Sequence, residues 1–79
     1  MTRKDRVVKV TSEVCGIPEE IIKMETSFTG DLSLDPSTMK ELIKGFEEEF
    51  NMEIPDDEVD ILNTVKDVVE FAKNYGDWY

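Results

Sequence analysis

The sequence contains no histidine among its 79 residues. Histidine is the usual general base of enzymes and the commonest metal ligand, so its absence excludes histidine-dependent triads and typical catalytic zinc sites. A chain of this length also has room for only one small core. We therefore predict a single domain over residues 1–79 that is a monomer and is not an enzyme.

Cysteine and long apolar runs are nearly absent. Cys15 is the one cysteine, so no internal disulfide can form, which agrees with a reducing compartment. The N-terminal stretch MTRKDRVVKV has no continuous apolar segment, and the sequence therefore predicts neither a signal peptide nor a membrane-spanning helix. We expect a cytoplasmic protein that does not insert into membranes.

Basic residues are few. Nine lysines and arginines stand against nineteen acidic residues, which gives a formal net charge of −10. This charge repels nucleic acid and anionic lipid and favours partners that carry basic patches. We expect no nucleic-acid binding.

Apolar residues recur at helical spacing through most of the chain, which predicts an all-α fold. Val7, Val10 and Val14 mark one face of a first helix from Arg3 to Cys15. Gly16 follows directly and can supply the left-handed cap that ends it.

A long loop follows the first helix. Pro18-Glu19-Glu20 can begin one helical turn, but the stretch from Lys23 to Leu34 has no sustained period. Phe28 and Leu32 are the residues that we expect to hold this loop to the core.

A second helix is predicted to begin at Asp35-Pro36, because an aspartate can cap the first turn and proline is tolerated at the first helical position. The helix runs to about Phe50. Its buried face is predicted to contain Met39, Leu42, Ile43, Phe46 and Phe50. Its exposed face is predicted to contain Ser37, Lys40, Glu41, Lys44, Glu47 and Glu48.

Two further helices complete the expected four-helix bundle. Asn51 can end the second helix, Ile54-Pro55 turns the chain, and a short third helix begins at Asp56 with Val59 and Leu62 as anchors. Thr64 and Asp67 resemble a capping box for a fourth helix, which ends near Tyr75 and Gly76. Asp77-Trp78-Tyr79 is predicted to be a tail.

The segment DLSLDPSTMKEL, residues 31 to 42, has two features of interest. Asp31, Ser33 and Asp35 alternate as in a calcium loop, but Pro36 replaces the required glycine and Leu42 replaces the bidentate glutamate. Acids that cap the loop and the helix explain these residues better, and we predict no metal site.

Ser37 is the second feature. No histidine or nearby lysine lies at triad spacing, so Ser37 is not a self-activated nucleophile. Its place at the positive end of a helix favours an attached phosphate.

These residues resemble the acyl carrier protein family over nearly the whole chain. The similarity is carried by SFTGDL before the second helix, ELIKGFEEEFNMEIPDDEV from Glu41 to Val59, and NTVKDVVEF from Asn63 to Phe71. The resemblance implies a four-helix bundle with a short third helix. It also implies a covalent 4'-phosphopantetheine arm, on which acyl intermediates are held as thioesters for delivery to partner enzymes.

The resemblance also places the arm on the serine of an Asp-Ser-Leu motif at the start of the second helix. In the gapless register Asp35 matches the aspartate, Pro36 falls on the serine and Ser37 falls on the leucine. Sliding the register by one residue would rotate the buried stripe by about 100°. The register therefore holds, and Ser37 is the candidate attachment residue, one step further into the helix.

Further departures from the family lie on the surface and in the core. The expected partners are a phosphopantetheinyl transferase and acyl-processing enzymes with basic docking patches, and the candidate partner-binding residues are Met39, Glu41, Lys44, Glu47 and Glu48. Lys40 and Lys44 replace residues that are typically apolar in the family. Phe46 and Val68 stand where the family often has smaller residues, which predicts a cargo that is short or remains outside the bundle.

Two functions stay open at this point. One is a specialised acyl carrier for fatty acid or polyketide biosynthesis, modified on Ser37. The alternative is a carrier-like acidic module that binds proteins and has no phosphopantetheine arm. Pro36 favours the second function, whereas the serine beside it favours the first.

Overall fold

A computed structural model describes residues 2–76. Four α-helices are present: α1 (Arg3–Cys15), α2 (Pro36–Phe50), α3 (Asp56–Val59) and α4 (Val65–Tyr75), with a short 3-10 helix at Glu19–Ile21. The described residues form no β-strand, only an isolated antiparallel bridge between Ser27 and Thr64. The predicted all-α fold with a short third helix is confirmed, while the predicted tail lies outside the described residues.

The helix ends follow local capping signals. Gly16 ends α1 in the left-handed conformation with φ 68°, and Asn51 ends α2 in the same way with φ 49°. Thr64 and Asp67 form the predicted capping box at the start of α4. A second capping box, between Thr2 and Asp5, begins α1; this pair was not predicted.

The core lies between α1, α2 and α4. Helix α1 packs against both α2 and α4, and it lies close to α2 at Gly45, where an added Cβ would lie 2.9 Å from Val10 Cγ1. The fully buried side chains of greatest volume are Phe28, Phe46, Phe50 and Leu42. Four of the five residues predicted for the buried face of α2 are buried, and Met39 is half-buried at the edge of the core.

The long loop between α1 and α2 is held to the segment that joins α3 and α4. The Phe28 amide donates to the Asn63 carbonyl at 2.8 Å, and the Val65 amide donates to the Thr26 carbonyl at 3.1 Å. Phe28 is fully buried, and Leu32 is partly buried against the core, as predicted. These contacts fix the loop that leads into the first turn of α2.

Glu47 differs from its predicted exposure. Its side chain is half-buried, and a carboxylate oxygen accepts a hydrogen bond from the Ile54 amide at 2.7 Å. The bond satisfies a backbone donor that precedes α3, so this part of the chain is held against α2. Within residues 2–76, no helix is long and apolar enough to cross a membrane.

Candidate functional site

The first turn of α2 is organised by Asp35 and Pro36. Asp35 is extended, with φ −80° and ψ 168°, and its carboxylate accepts a hydrogen bond from the Thr38 amide at 2.8 Å. Pro36 occupies the first helical position, where a missing N–H costs no hydrogen bond. The hydrogen bond from Thr38 lowers the pKa of the exposed Asp35 carboxyl, so the cap is charged at neutral pH.

Ser37 lies one residue further and is exposed. Within residues 2–76 its hydroxyl forms no hydrogen bond, and its amide has no acceptor. Ser33, four residues earlier, is also exposed, but it has φ 51° and its hydroxyl donates to the Gly30 carbonyl at 3.3 Å. Ser37 therefore offers the less constrained hydroxyl.

The exposed side of α2 carries Ser37 together with three of the predicted partner-binding residues. Glu41, Lys44 and Glu48 follow Ser37 at intervals of four, three and four residues, so all four share one side of the helix. Each of the four side chains is exposed. The structure thus brings these predicted site residues together.

An open groove of about 480 Å³ lies between α2 and α3. Its apolar lining consists of Pro36, Met39, Ile43, Ile54 and Val59, and its charged lining consists of Lys40, Lys44, Glu47, Asp56 and Asp60. The remaining predicted partner-binding residues, Met39 and Glu47, border this groove rather than the open side of α2. The contributions of Ile54 and Val59 were not predicted, because they depend on where α3 packs.

Pro36 lines the groove and Ser37 does not. Successive residues of a helix are rotated by about 100°, so Ser37 lies at a different position around α2 from Pro36. A hydroxyl at position 36 would have bordered the groove, but proline has none. Pro36 and the exposed Ser37 hydroxyl therefore lie about 100° apart around the axis of α2.

The chemistry of these residues fits covalent attachment at one position. A phosphodiester needs an accessible hydroxyl, and the Ser37 side chain is exposed at the start of a helix whose dipole favours a negative group. Pro36 cannot form such a bond. Thr38 also carries a hydroxyl, but its side chain is half-buried, so Ser37 is the residue of this turn with the exposed hydroxyl that could hold a phosphopantetheine arm.

Asp31 and Asp35, the two acids that alternate as in a calcium loop, both accept hydrogen bonds from backbone amides. The Asp31 carboxylate accepts from the Ser27 amide at 2.9 Å, and the Asp35 carboxylate caps α2. Over the described range 2–76, no three acidic, histidine or cysteine side chains are grouped so as to hold a metal ion. The interpretation of these acids as loop and helix caps agrees with both bonds.

Comparison with known proteins relates this chain to a protein family and to solved structures. A family model described as a phosphopantetheine attachment site matches residues 5–72. The solution structure of the apo doublet acyl carrier protein from prodigiosin biosynthesis superposes with a TM-score of 0.83 over 96% of this chain at 17% sequence identity. This chain spans 37% of the length of that doublet, and at this identity the likeness shows the fold alone.

The family match covers most of the chain, including the capped start of α2 and the whole of α3. It agrees with the resemblance to acyl carrier proteins and with the expected phosphopantetheine cofactor, and proteins of this kind are carriers rather than catalysts. The chain therefore belongs to the phosphopantetheine attachment site family and is a carrier domain with the acyl carrier protein fold.

Proposed function

We propose that this chain is a specialised acyl carrier whose phosphopantetheine arm is attached to Ser37. The observation that carries the proposal is the exposed Ser37 hydroxyl, which has no hydrogen-bond partner within residues 2–76 and lies at the start of α2. When bound, the arm supplies a thiol that holds acyl groups as thioesters. The chain itself supplies the attachment oxygen and the surface that partner enzymes recognise.

Attachment requires the Ser37 oxygen to bond to the phosphate of coenzyme A that carries the pantetheine, with adenosine 3',5'-bisphosphate as the leaving group. The hydroxyl proton must pass to a base. Because no described side chain is hydrogen-bonded to the Ser37 hydroxyl, we assign that base to the phosphopantetheinyl transferase. The transferase must also bind α2 rotated by about 100° relative to a carrier with the serine at position 36.

The partner surface comprises the exposed side of α2 and the edge of the α2–α3 groove. Glu41 and Glu48 lie about one and three turns from Ser37 on the same side of α2 and suit enzymes with basic docking patches. Lys44 lies between these two acids on the helix and also lines the groove. This placement supports a partner that presents an acidic group to Lys44 among its basic ones, which separates this carrier from one with an apolar residue there.

The core supports a short cargo. Phe46 and Val68 are both fully buried, so they fill the space between the helices in which an acyl chain could be sheltered. We expect the cargo to be short or to remain outside the bundle. In NMR spectra, loading a long acyl chain should then leave the amide shifts of core residues almost unchanged, and widespread core shifts would contradict this.

A second function is favoured by one specific observation. Pro36 borders the groove, the resemblance to acyl carrier proteins places the attachment serine at this position, and the proline ring has no hydroxyl. A chain that has lost its arm would still present the acidic surface of α2. The second candidate is therefore an interaction module without phosphopantetheine.

Intact mass spectrometry separates the two functions. The full chain is incubated with coenzyme A and a panel of phosphopantetheinyl transferases, beside a carrier that each transferase is known to modify. A phosphopantetheine mass increment that is lost in Ser37→Ala and kept in Ser33→Ala supports the carrier. An unmodified chain, under conditions that modify the reference carrier, supports the module.

A double variant tests the geometry of the turn. Pro36→Ser combined with Ser37→Ala moves the hydroxyl by one position, to the edge of the groove. If only this variant is modified, transferases bind this fold in the usual orientation, and Pro36 is the reason that the native chain has no arm. If the native chain is modified at Ser37, a transferase that accepts the rotated helix exists.

A further inference from the structure

A second groove, of about 240 Å³, lies between α3 and α4. Leu62 and Phe71, which are both buried, contribute to its lining, and Ile61 and Tyr75 border it. The side chain of Ile61 is 62% exposed and that of Tyr75 is 67% exposed. Two large apolar side chains are therefore exposed at the same groove.

This arrangement is unusual within the described surface. Ile21, which is 54% exposed, is the remaining large apolar residue of residues 2–76 with a mostly exposed side chain, and it does not line this groove. The Tyr75 ring packs against the Phe71 ring with 4.6 Å between centroids, so its position is held by the core. Exposed apolar side chains that gather at one groove, unlike ones scattered singly, are a feature of interaction sites.

The charges at the α3–α4 groove are all negative. Glu58 and Glu70 line it, and neither forms an ion pair with another residue in the range 2–76. The third acid, Asp67, is engaged in capping α4. The α2–α3 groove differs in that Lys40 and Lys44 line it, so a cationic partner is attracted more strongly to the α3–α4 groove.

The two grooves share none of their lining residues. Asp56, Val59 and Asp60 border the α2–α3 groove, whereas Glu58 and Ile61 border the α3–α4 groove. A partner bound between α3 and α4 therefore contacts a set of residues that includes neither Ser37 nor the lining of the α2–α3 groove.

We propose that the α3–α4 groove is a docking surface for a segment of another protein that carries a large apolar side chain flanked by lysine or arginine. The apolar side chain packs between Ile61 and Tyr75 over the buried floor. The basic residues pair with Glu58 and Glu70. The proposal does not depend on the attachment of an arm to Ser37.

The test uses a short amphipathic peptide of leucine and lysine, with the leucines on one face, and a scrambled peptide of the same composition. Both are titrated into the full chain while amide shifts are followed by NMR. We expect the largest shifts at Ile61, Glu70 and Tyr75 with the first peptide. Ile61→Ser and Tyr75→Ser should each weaken its binding about fivefold or more, and Ile21→Ser is the matched control.

Charge variants test the contribution of the acidic residues at the α3–α4 groove. Glu58→Gln and Glu70→Gln should weaken binding and reduce its dependence on salt, since they remove carboxylates at the groove. Glu41→Gln and Glu48→Gln, which remove equal charge from α2, should have less effect. Unchanged affinity in the groove variants, or equal losses in both sets, would overturn the proposal.

Other occupants give distinct results. If a variant that lacks residues 77–79 binds the peptide tenfold more tightly, with changed shifts at Ile61, the chain's own C-terminal residues occupy the groove and the proposal is wrong. Concentration-dependent self-association that is lost in Ile61→Ser would assign the groove to a second copy, which also overturns it. Shifts centred on Lys40 and Lys44 would place the peptide in the α2–α3 groove and would also overturn the proposal.

Discussion

The two ends of α2 differ in how they are held. At the N-terminal end, the Asp35 cap fixes the first turn, and Ser37 is exposed. At the C-terminal end, Phe46 and Phe50 are fully buried. One helix thus combines an accessible end suited to modification with an end that contributes to the core.

The C-terminal end is also joined to α1 through Arg6. The Arg6 guanidinium forms an ion pair with the Glu49 carboxylate at 2.8 Å, donates to the Glu49 carbonyl, and lies 4.4 Å from the centroid of the Phe50 ring. A single arginine therefore satisfies a carbonyl near the end of α2 and covers an aromatic ring. We therefore expect substitutions at the C-terminal end of α2 to change stability and substitutions at the N-terminal end to change modification.

The largest effect is expected from Phe46→Ala. Removing a fully buried phenylalanine should lower the free energy of unfolding by about 3–5 kcal/mol, because apolar burial is lost and a cavity is left. Glu48→Ala, at an exposed position of the same helix, is the control. Urea unfolding followed by circular dichroism measures both. A loss below about 1 kcal/mol would show that the C-terminal end does not contribute to the core as described.

Arg6→Ala should have the next largest effect. The Arg6 side chain is 14% exposed and that of Glu49 is 28% exposed, so the pair is partly shielded from solvent. We expect a loss of about 1–2 kcal/mol from the ion pair, the hydrogen bond and the contact with Phe50. The control is Lys4→Ala, which removes an exposed cation from the same helix. Equal melting temperatures for the two variants would contradict the role of Arg6.

The Asp35 cap should contribute a smaller and pH-dependent stabilisation. Its pKa is lowered from the usual 3.8 by the hydrogen bond from Thr38, so the unfolded chain binds the proton more readily than the folded one. The contribution is therefore present above pH 3.8 and is lost as pH falls through the lowered pKa.

The measurement for this cap is the midpoint of acid unfolding. Asp35→Asn keeps an oxygen acceptor and should retain much of the stability at neutral pH, while its stability should vary less with pH below 4. Asp35→Ala removes the acceptor and should be less stable at neutral pH. If the two variants and the native chain gave the same acid profile, the cap would not be formed in solution.

Ser37→Ala should have the smallest effect on stability. An exposed serine with no hydrogen bond to the described residues contributes little, and we expect a change within about 0.5 kcal/mol. The same substitution should abolish the phosphopantetheine increment. A large loss of stability in Ser37→Ala would show that the hydroxyl has a structural role. It would contradict the separation of stability and modification between the two ends of α2.

The sequence was most informative where the determining contacts are local. The predicted range of α1, the cap at Asp35-Pro36, and the Thr64–Asp67 capping box are confirmed. Each depends on residues within about four positions of one another. The Thr2–Asp5 box has the same spacing as Thr64–Asp67, so its signal was present in the sequence and was missed.

The errors and omissions concern contacts between distant residues. Glu47 was predicted to be exposed because it lies off the apolar stripe, but its carboxylate is bonded to the Ile54 amide. Arg6 and Glu49 are 43 residues apart, and no local pattern joins them. The groove between α3 and α4 likewise depends on how α3 packs, which its 4 residues do not specify.

The sequence by itself determined the register of α2, because a shift by one residue would have turned its apolar stripe out of the core. That register places Pro36 at the first helical position and Ser37 at the second. Only the tertiary structure decided that Pro36 borders the groove while Ser37 does not line it. The reason is that the groove is made by α3, whose place beside α2 depends on contacts such as the hydrogen bond between Ile54 and Glu47.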